Sequence, residues 1–122
     1  MNNSAKSFLI ISRHAPCGSS HGRDALDVAL TIAAFEQPLS LLYMDDGVFQ
    51  LLSDQDTSAI EQKNVSQTLP MLAMYDIDQV YVDNSSLKER NLSVNDLCIP
   101  VTVLRTPAAS KLLQEHDIVL GF

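Results

Sequence analysis

Five short apolar runs, each closed by turn-forming or polar residues, set the rhythm of this chain: Phe8–Ile11, Leu39–Met44, Val80–Val82, Val101–Leu104 and Ile118–Leu120. A run that is apolar at nearly every position suits a strand covered on both faces, and such strands belong to parallel sheets. Parallel neighbours cannot be joined by hairpins, so the segments between the runs have to supply crossover helices. The first of these is plain: Ala25, Leu26, Ala29, Leu30, Ala33 and Ala34 recur at three- and four-residue steps between Gly22 and Phe35, and Pro38 closes the segment. A weaker helical pattern covers Val65 to Tyr75 and is interrupted at Pro70. Ser85–Arg90 reads as a short helix capped by Ser85, and Thr106-Pro107 places a capping residue before a proline at the first position of a helix running to about Glu115. The alternation predicts a three-layer α/β domain of the flavodoxin-like type, with a mostly parallel sheet of about five strands and right-handed crossovers.

No repeat, low-complexity tract or linker divides the sequence, so residues 1–122 are expected to form a single domain. A chain of this length, 46% hydrophobic, can bury enough surface to fold without a disulfide framework or a structural metal. Its two cysteines, Cys17 and Cys98, have neither zinc-site nor C-x-x-C spacing, and a reducing cytoplasm is the simplest compartment. The opening residues carry one lysine, and Phe8–Ile11 is too short for a signal-peptide core or a membrane span, so neither export nor insertion is expected. Fifteen acidic residues against eight basic give a net charge of −7, which repels phosphate backbones and argues against direct nucleic-acid binding.

In a parallel α/β sheet, ligands gather beyond the carboxyl ends of the strands, which directs attention to the loop after the first run. There Arg13, His14, Cys17, His21 and Arg23 collect a thiol, two imidazoles and two guanidiniums beside a helix N-terminus. Cations and helix amides stabilise a thiolate, so Cys17 is a candidate persulfide carrier; the alternative is an incidental loop thiol among solvated basic side chains. Gly18 and Gly22 fit neither the dinucleotide fingerprint nor the P-loop, although a small-ligand or nucleotide module using the same loop stays open. His14 and His21 lack further ligands at a recognisable spacing, so no metal and no cofactor is expected. Cys98 lies in an apolar stretch and is expected to pack as a small hydrophobe. His116 is expected to be structural or exposed. After the acidic turn Asp45-Asp46-Gly47, the segment Val48-Phe49-Gln50-Leu51-Leu52 either folds back as core or protrudes as a partner surface; taken alone, it leans towards core.

Several stretches together resemble a known family. Ala15-Pro16-Cys17-Gly18 after the first strand, Gly22 to Asp27, Asp46-Gly47-Val48-Phe49-Gln50-Leu51-Leu52, Leu72 to Ile77, Ser86 to Arg90 and the closing Asp117 to Phe122 are similar, in order, to the TusC/DsrF branch of the DsrE/F/H sulfur-relay proteins. The resemblance implies a cytoplasmic heterohexamer with homologous B-type and D-type subunits, passing persulfide sulfur through a small acceptor to 2-thiolation of the tRNA wobble uridine. For the Dsr relatives it implies dissimilatory sulfur oxidation instead. The superfamily's sulfur-carrying cysteine lies just after the third strand, where this chain reads Asp83-Asn84-Ser85-Ser86. A persulfide needs a thiolate. The resemblance therefore implies an assembly subunit of a sulfurtransferase complex with no catalytic cysteine of its own, leaving Cys17 as the one alternative carrier. It also gives Val48, Phe49, Gln50, Leu51 and Leu52 a purpose as a subunit interface.

Overall fold

A computed structural model describes residues 6–14, 21–52, 71–75, 77 and 79–122. Five strands, β1 (Phe8–Ser12), β2 (Leu39–Tyr43), β3 (Val80–Asp83), β4 (Thr102–Leu104) and β5 (Ile118–Gly121), form one sheet in the order β4-β3-β2-β1-β5. All four pairings are parallel, with Ile10 opposite Leu41 and Leu120, and Tyr43 opposite Val82. The helices are α1 (His21–Ala34), α2 (Met71–Met74), α3 (Asn84–Glu89) and α4 (Thr106–Glu115). The α/β layering expected from the sequence is therefore present, with every strand pair parallel.

Strand order dictates where the helices go. From β1 to β4 the chain steps steadily towards one edge, and from β4 it returns across the sheet to pair β5 with β1. Right-handed crossovers put the three forward steps on one face and the return on the other. The core divides accordingly. Ile10, Leu41, Tyr43, Val80 and Val82 face Ala25, Leu26, Ala29 and Ile32 of α1, Leu72 of α2 and Leu87 of α3. On the opposite face Leu9, Ile11 and Leu42 pack against Leu112 of α4, with Leu104 and Tyr81 at the margin. The central strands are thus buried on both sides, which is why their sequences show no polar alternation.

Local chemistry sets the boundaries. Helix α1 ends where Glu36 takes a left-handed conformation at φ 58°, its N–H donating to the Ala33 carbonyl, before Pro38 leads into β2. Helix α3 is capped by Asp83 rather than by the expected Ser85: the carboxylate accepts from the Ser86 N–H, and Ser85 faces solvent. Helix α4 starts one residue early, with Arg105 at the N-cap and no side-chain cap bond, while Pro107 occupies the first turn as expected. The expected helix over 65–75 is described only from Met71 onward, so Pro70 lies outside the described residues. The start of β5 is fixed to β1 by Asp117, which accepts from the backbone N–H and the hydroxyl of Ser7 at 2.9 and 3.2 Å. These bonds hold the Asp117 carboxyl below the usual carboxylate range.

The segment after β2, ambiguous in sequence, is a 3₁₀ helix, Asp45–Leu51. With about three residues per turn, side chains at i and i+3 share a direction. Val48 and Leu51 point into the α1-side core, both fully buried. Gly47 and Gln50 lie against the end of β1: a Cβ on Gly47 would stand 2.0 Å from the Ser12 carbonyl oxygen, and Gln50 Nε2 donates to the His14 carbonyl at 2.8 Å. Only a residue without a side chain permits this approach. Gly47→Ala is expected to destabilise the protein by about 1–3 kcal/mol, since the obstructing atom is backbone and cannot rotate away. Equilibrium urea unfolding checks this, and a midpoint unchanged from wild type would show that the contact is not the constraint it looks to be.

Candidate functional site

The carboxyl ends of the strands bring together the exit from β1, the 3₁₀ helix and the N-terminus of α3. Arg13 and His14 leave β1 exposed, and with Gly121 and Phe122 they line a crevice of about 280 Å³ between β1 and β5, where the winding direction of the sheet reverses. His21 and Arg23 fall in the first turns of α1. Cys17 lies outside the described residues. Among the described residues, no group of three or more His, Cys, Asp or Glu is gathered as a metal ion would require.

A larger cavity of about 570 Å³ opens at the opposite end of the sheet, lined among others by Glu36, Gln37, Tyr75, Gln79 and His116. It is remote from the loops after β1 and β3, so volume alone does not make it the site. His116, expected to be structural or exposed, is half-buried here: its Nδ1 lies 2.7 Å from the Leu112 carbonyl and its Nε2 3.1 Å from the Ser40 hydroxyl, joining the end of α4 to β2.

The junction of β3 and α3 is occupied by a network that begins at Asp83, the last residue of the strand. Asp83, 8% exposed, accepts from the Ser86 N–H at 3.1 Å and from the Ser86 hydroxyl at 2.7 Å. The same hydroxyl accepts from the Asp45 N–H at 2.8 Å, where Asp45 holds a left-handed φ of 50° at the start of the 3₁₀ helix. One turn further along α3, Arg90 closes the other side. Its Nε and Nη2 donate to Asp46 Oδ1 at 3.1 and 3.0 Å, Nη1 donates to the Ser86 carbonyl at 3.2 Å, and the guanidinium stands 5.9 Å from the centre of the Phe49 ring. No sequence pattern announced this arrangement, because its partners lie about forty residues apart; the one local signal was an Asp three residues before Ser86.

The expected interface segment is partly corrected by burial. Val48, Gln50 and Leu51 are 0–1% exposed within this chain alone and so cannot offer side chains to a partner, whereas Phe49 and Leu52 are half-buried on the outward side of the 3₁₀ helix. Among the described residues, Gln50 Oε1 has no hydrogen-bond partner.

The chain matches the DsrE/DsrF-like family over residues 6–122. A "Protein TusC homolog" of Pseudomonas aeruginosa is 40% identical over 116 residues, covering 95% of this chain and 98% of that protein. The "Intracellular sulfur oxidation protein DsrF" of Allochromatium vinosum is 36% identical over 136 aligned positions, covering both chains completely. This chain belongs to the DsrE/DsrF-like family. The crystal structure of the YchN protein from E. coli shares the fold with a TM-score of 0.82 at 24% identity, over 96% of this chain and 99% of that one. Within this family member, the last residue of β3, Asp83, is thus a helix-capping carboxylate.

Cys98 departs from expectation. It is exposed, because Leu97, Ile99 and Val101 alternate inward along this stretch and leave Cys98 on the outer side, its N–H donating to the Leu51 carbonyl at 2.7 Å. Partial desolvation pushes its thiol pKa up, against a smaller lowering by its own backbone N–H. A raised pKa means less thiolate at neutral pH, so in a Cys17→Ser variant Cys98 should react with iodoacetamide more slowly than free cysteine at pH 7. A rate equal to or above that of free cysteine would contradict the desolvated setting.

Proposed function

We propose that this chain is a TusC-type subunit of a heterohexameric sulfur-relay complex, assembled with homologous B-type and D-type subunits. In this reading it is an assembly scaffold that carries no sulfur itself, while the complex moves persulfide sulfur through a small acceptor to 2-thiolation of the tRNA wobble uridine. The observation that carries the scaffold role is the state of Asp83. The side chain that ends β3 is folded back onto Ser86 as a helix cap, and a carboxylate so engaged offers neither sulfur nor a free nucleophile. The family membership and the relative named as a TusC homolog support the relay itself. The relative named as an intracellular sulfur oxidation protein favours a second reading, in which the same scaffold serves dissimilatory sulfur oxidation.

A cytoplasmic setting belongs to the proposal and is compatible with the absence, among the described residues, of any helix long and apolar enough to cross a membrane. The net charge of −7 makes direct contact with tRNA unfavourable, so the nucleic acid is reached through later carriers. The contact with neighbouring subunits falls to Phe49 and Leu52, the half-buried outward residues of the former five-residue candidate.

Two results are expected from the tagged protein purified from its own cells. Two homologous small subunits should co-purify in equal amounts, with persulfide on a partner cysteine and none on Cys17; a lone chain with persulfide on Cys17 would make this subunit the carrier instead. Phe49→Asp should weaken assembly while the isolated chain stays folded, because Asp at this position can pair with Arg90. An unchanged complex mass on size exclusion, or an unfolded variant, would remove Phe49 from the interface.

A further inference from the structure

We propose that Ser86 is a positioning residue for subunit assembly: its buried hydroxyl fastens the 3₁₀ helix to α3 and thereby fixes the direction in which Phe49 and Leu52 face a partner. This rests on the reading that these two residues meet a neighbouring subunit. The argument starts from what the 3₁₀ helix lacks. Its N-cap, Met44, makes no side-chain cap bond, and its first residue holds a left-handed conformation without being glycine. Such a start is held by its surroundings or not at all. Beside the Ser12 carbonyl, which pins Met44 and Gly47, the hold on Asp45 itself is its N–H donating at 2.8 Å to the Ser86 hydroxyl, which is 2% exposed and itself donates at 2.7 Å to Asp83. In this chain of bonds each group is satisfied by the next, and the charged acceptor at its end strengthens both.

The far end of the 3₁₀ helix is tied separately. The Cys98 N–H donates to the Leu51 carbonyl, and Leu52 forms an isolated antiparallel bridge with Leu97. Between the two ties stands Phe49, with Arg90 beside its ring and Asp46 one turn before it held by the same guanidinium. Arg90 in turn donates to the Ser86 carbonyl, so the helix that provides the hydroxyl also orients the cation. With Val48 and Leu51 seated in the core and Leu52 tied to Leu97, the hydroxyl tie is what steadies the first turn, from which Phe49 projects. Loss of that tie therefore loosens the first turn and widens the range of directions Phe49 takes, while Val48 and Leu51 keep the core filled.

Ser86→Ala separates this role from helix capping, because the Ser86 N–H to Asp83 bond survives the substitution. With the co-purifying homologous subunits produced recombinantly as the probe, Ser86→Ala should weaken their binding about tenfold, the worth of one well-made hydrogen bond. Amide exchange at Asp45 should accelerate, with exchange in β1 and β2 unchanged. Ser85→Ala, on the exposed side of the same helix, should bind as wild type. If Ser86→Ala fails to fold, Asp83→Asn takes its place, since it removes the charged acceptor and keeps an amide able to cap. Phe49→Asp is measured alongside. Lost binding in Phe49→Asp with wild-type binding in Ser86→Ala would overturn the positioning role and leave the interface standing. Wild-type binding in both, or a tagged chain that captures no homologous subunit, would overturn the interface and the positioning role together.

Discussion

The carbonyl oxygen of Ser12 fixes the architecture at the end of the sheet that bears the loops. It accepts from the Met44 N–H at 3.0 Å and leaves no space for a side chain on Gly47, so the ends of β1 and β2 and the beginning of the 3₁₀ helix are pinned to one point. From that point the three-residue turn decides everything else about the segment. Two side chains go to the core, Gln50 goes to the loop after β1, and Phe49 and Leu52 go outward. Had the same residues formed a strand, alternation would have placed Val48, Gln50 and Leu52 on one face and Phe49 and Leu51 on the other. The glycine is what denies that outcome, because close contact with a backbone carbonyl is compatible with a turn into the 3₁₀ helix and with little else.

The central strands were legible in sequence because double-sided burial leaves a mark on every position: Leu9, Ile10 and Ile11 are all at most 2% exposed. Helix α1 was legible for the complementary reason, since burial on one side only leaves a three- and four-residue rhythm. The segment Val48–Leu52 was not, because apolar character reports how much of a run is buried and not which residues, and a three-residue period over five positions looks like no period at all. Cys98 was misjudged for a related reason. The stretch Leu97 to Val101 alternates, but it forms no strand of the sheet, and only the contact with Leu51 shows which side faces inward. Capping by Asp83 in place of Ser85 was the smallest error: both residue types cap, and the choice between them depends on where the strand ends.

The candidate site divides along similar lines. That chemistry would centre on loops at the carboxyl ends follows from parallel topology, and Arg13, His14 and the crevice beside Phe122 lie there. The network of Asp83, Ser86, Asp45, Asp46, Arg90 and Phe49 was invisible, because hydrogen bonds spanning 41 and 44 residues leave no periodic trace. The resemblance implies a cysteine near the end of β3 in related chains; here that end carries the capping Asp83.

The exchange of functions at this place has a chemical basis. A side chain at the last position of β3, directly before α3, faces backbone N–H groups, which favour any anion, thiolate or carboxylate. A relay thiolate benefits from them only if it remains accessible, since sulfur has to be received and given up. A carboxylate used as a cap does the reverse: it turns inward, accepts the N–H and hydroxyl of Ser86 at one oxygen, Oδ2, and is left 8% exposed. Sulfur is also a weak hydrogen-bond acceptor, so a thiol in this position would leave the Ser86 hydroxyl without the charged partner that orients it towards Asp45. An accessible thiolate and an inward-turned cap are thus competing uses of one position. In the assembly proposed above, that competition gives a physical reason for dividing the two tasks between different chains.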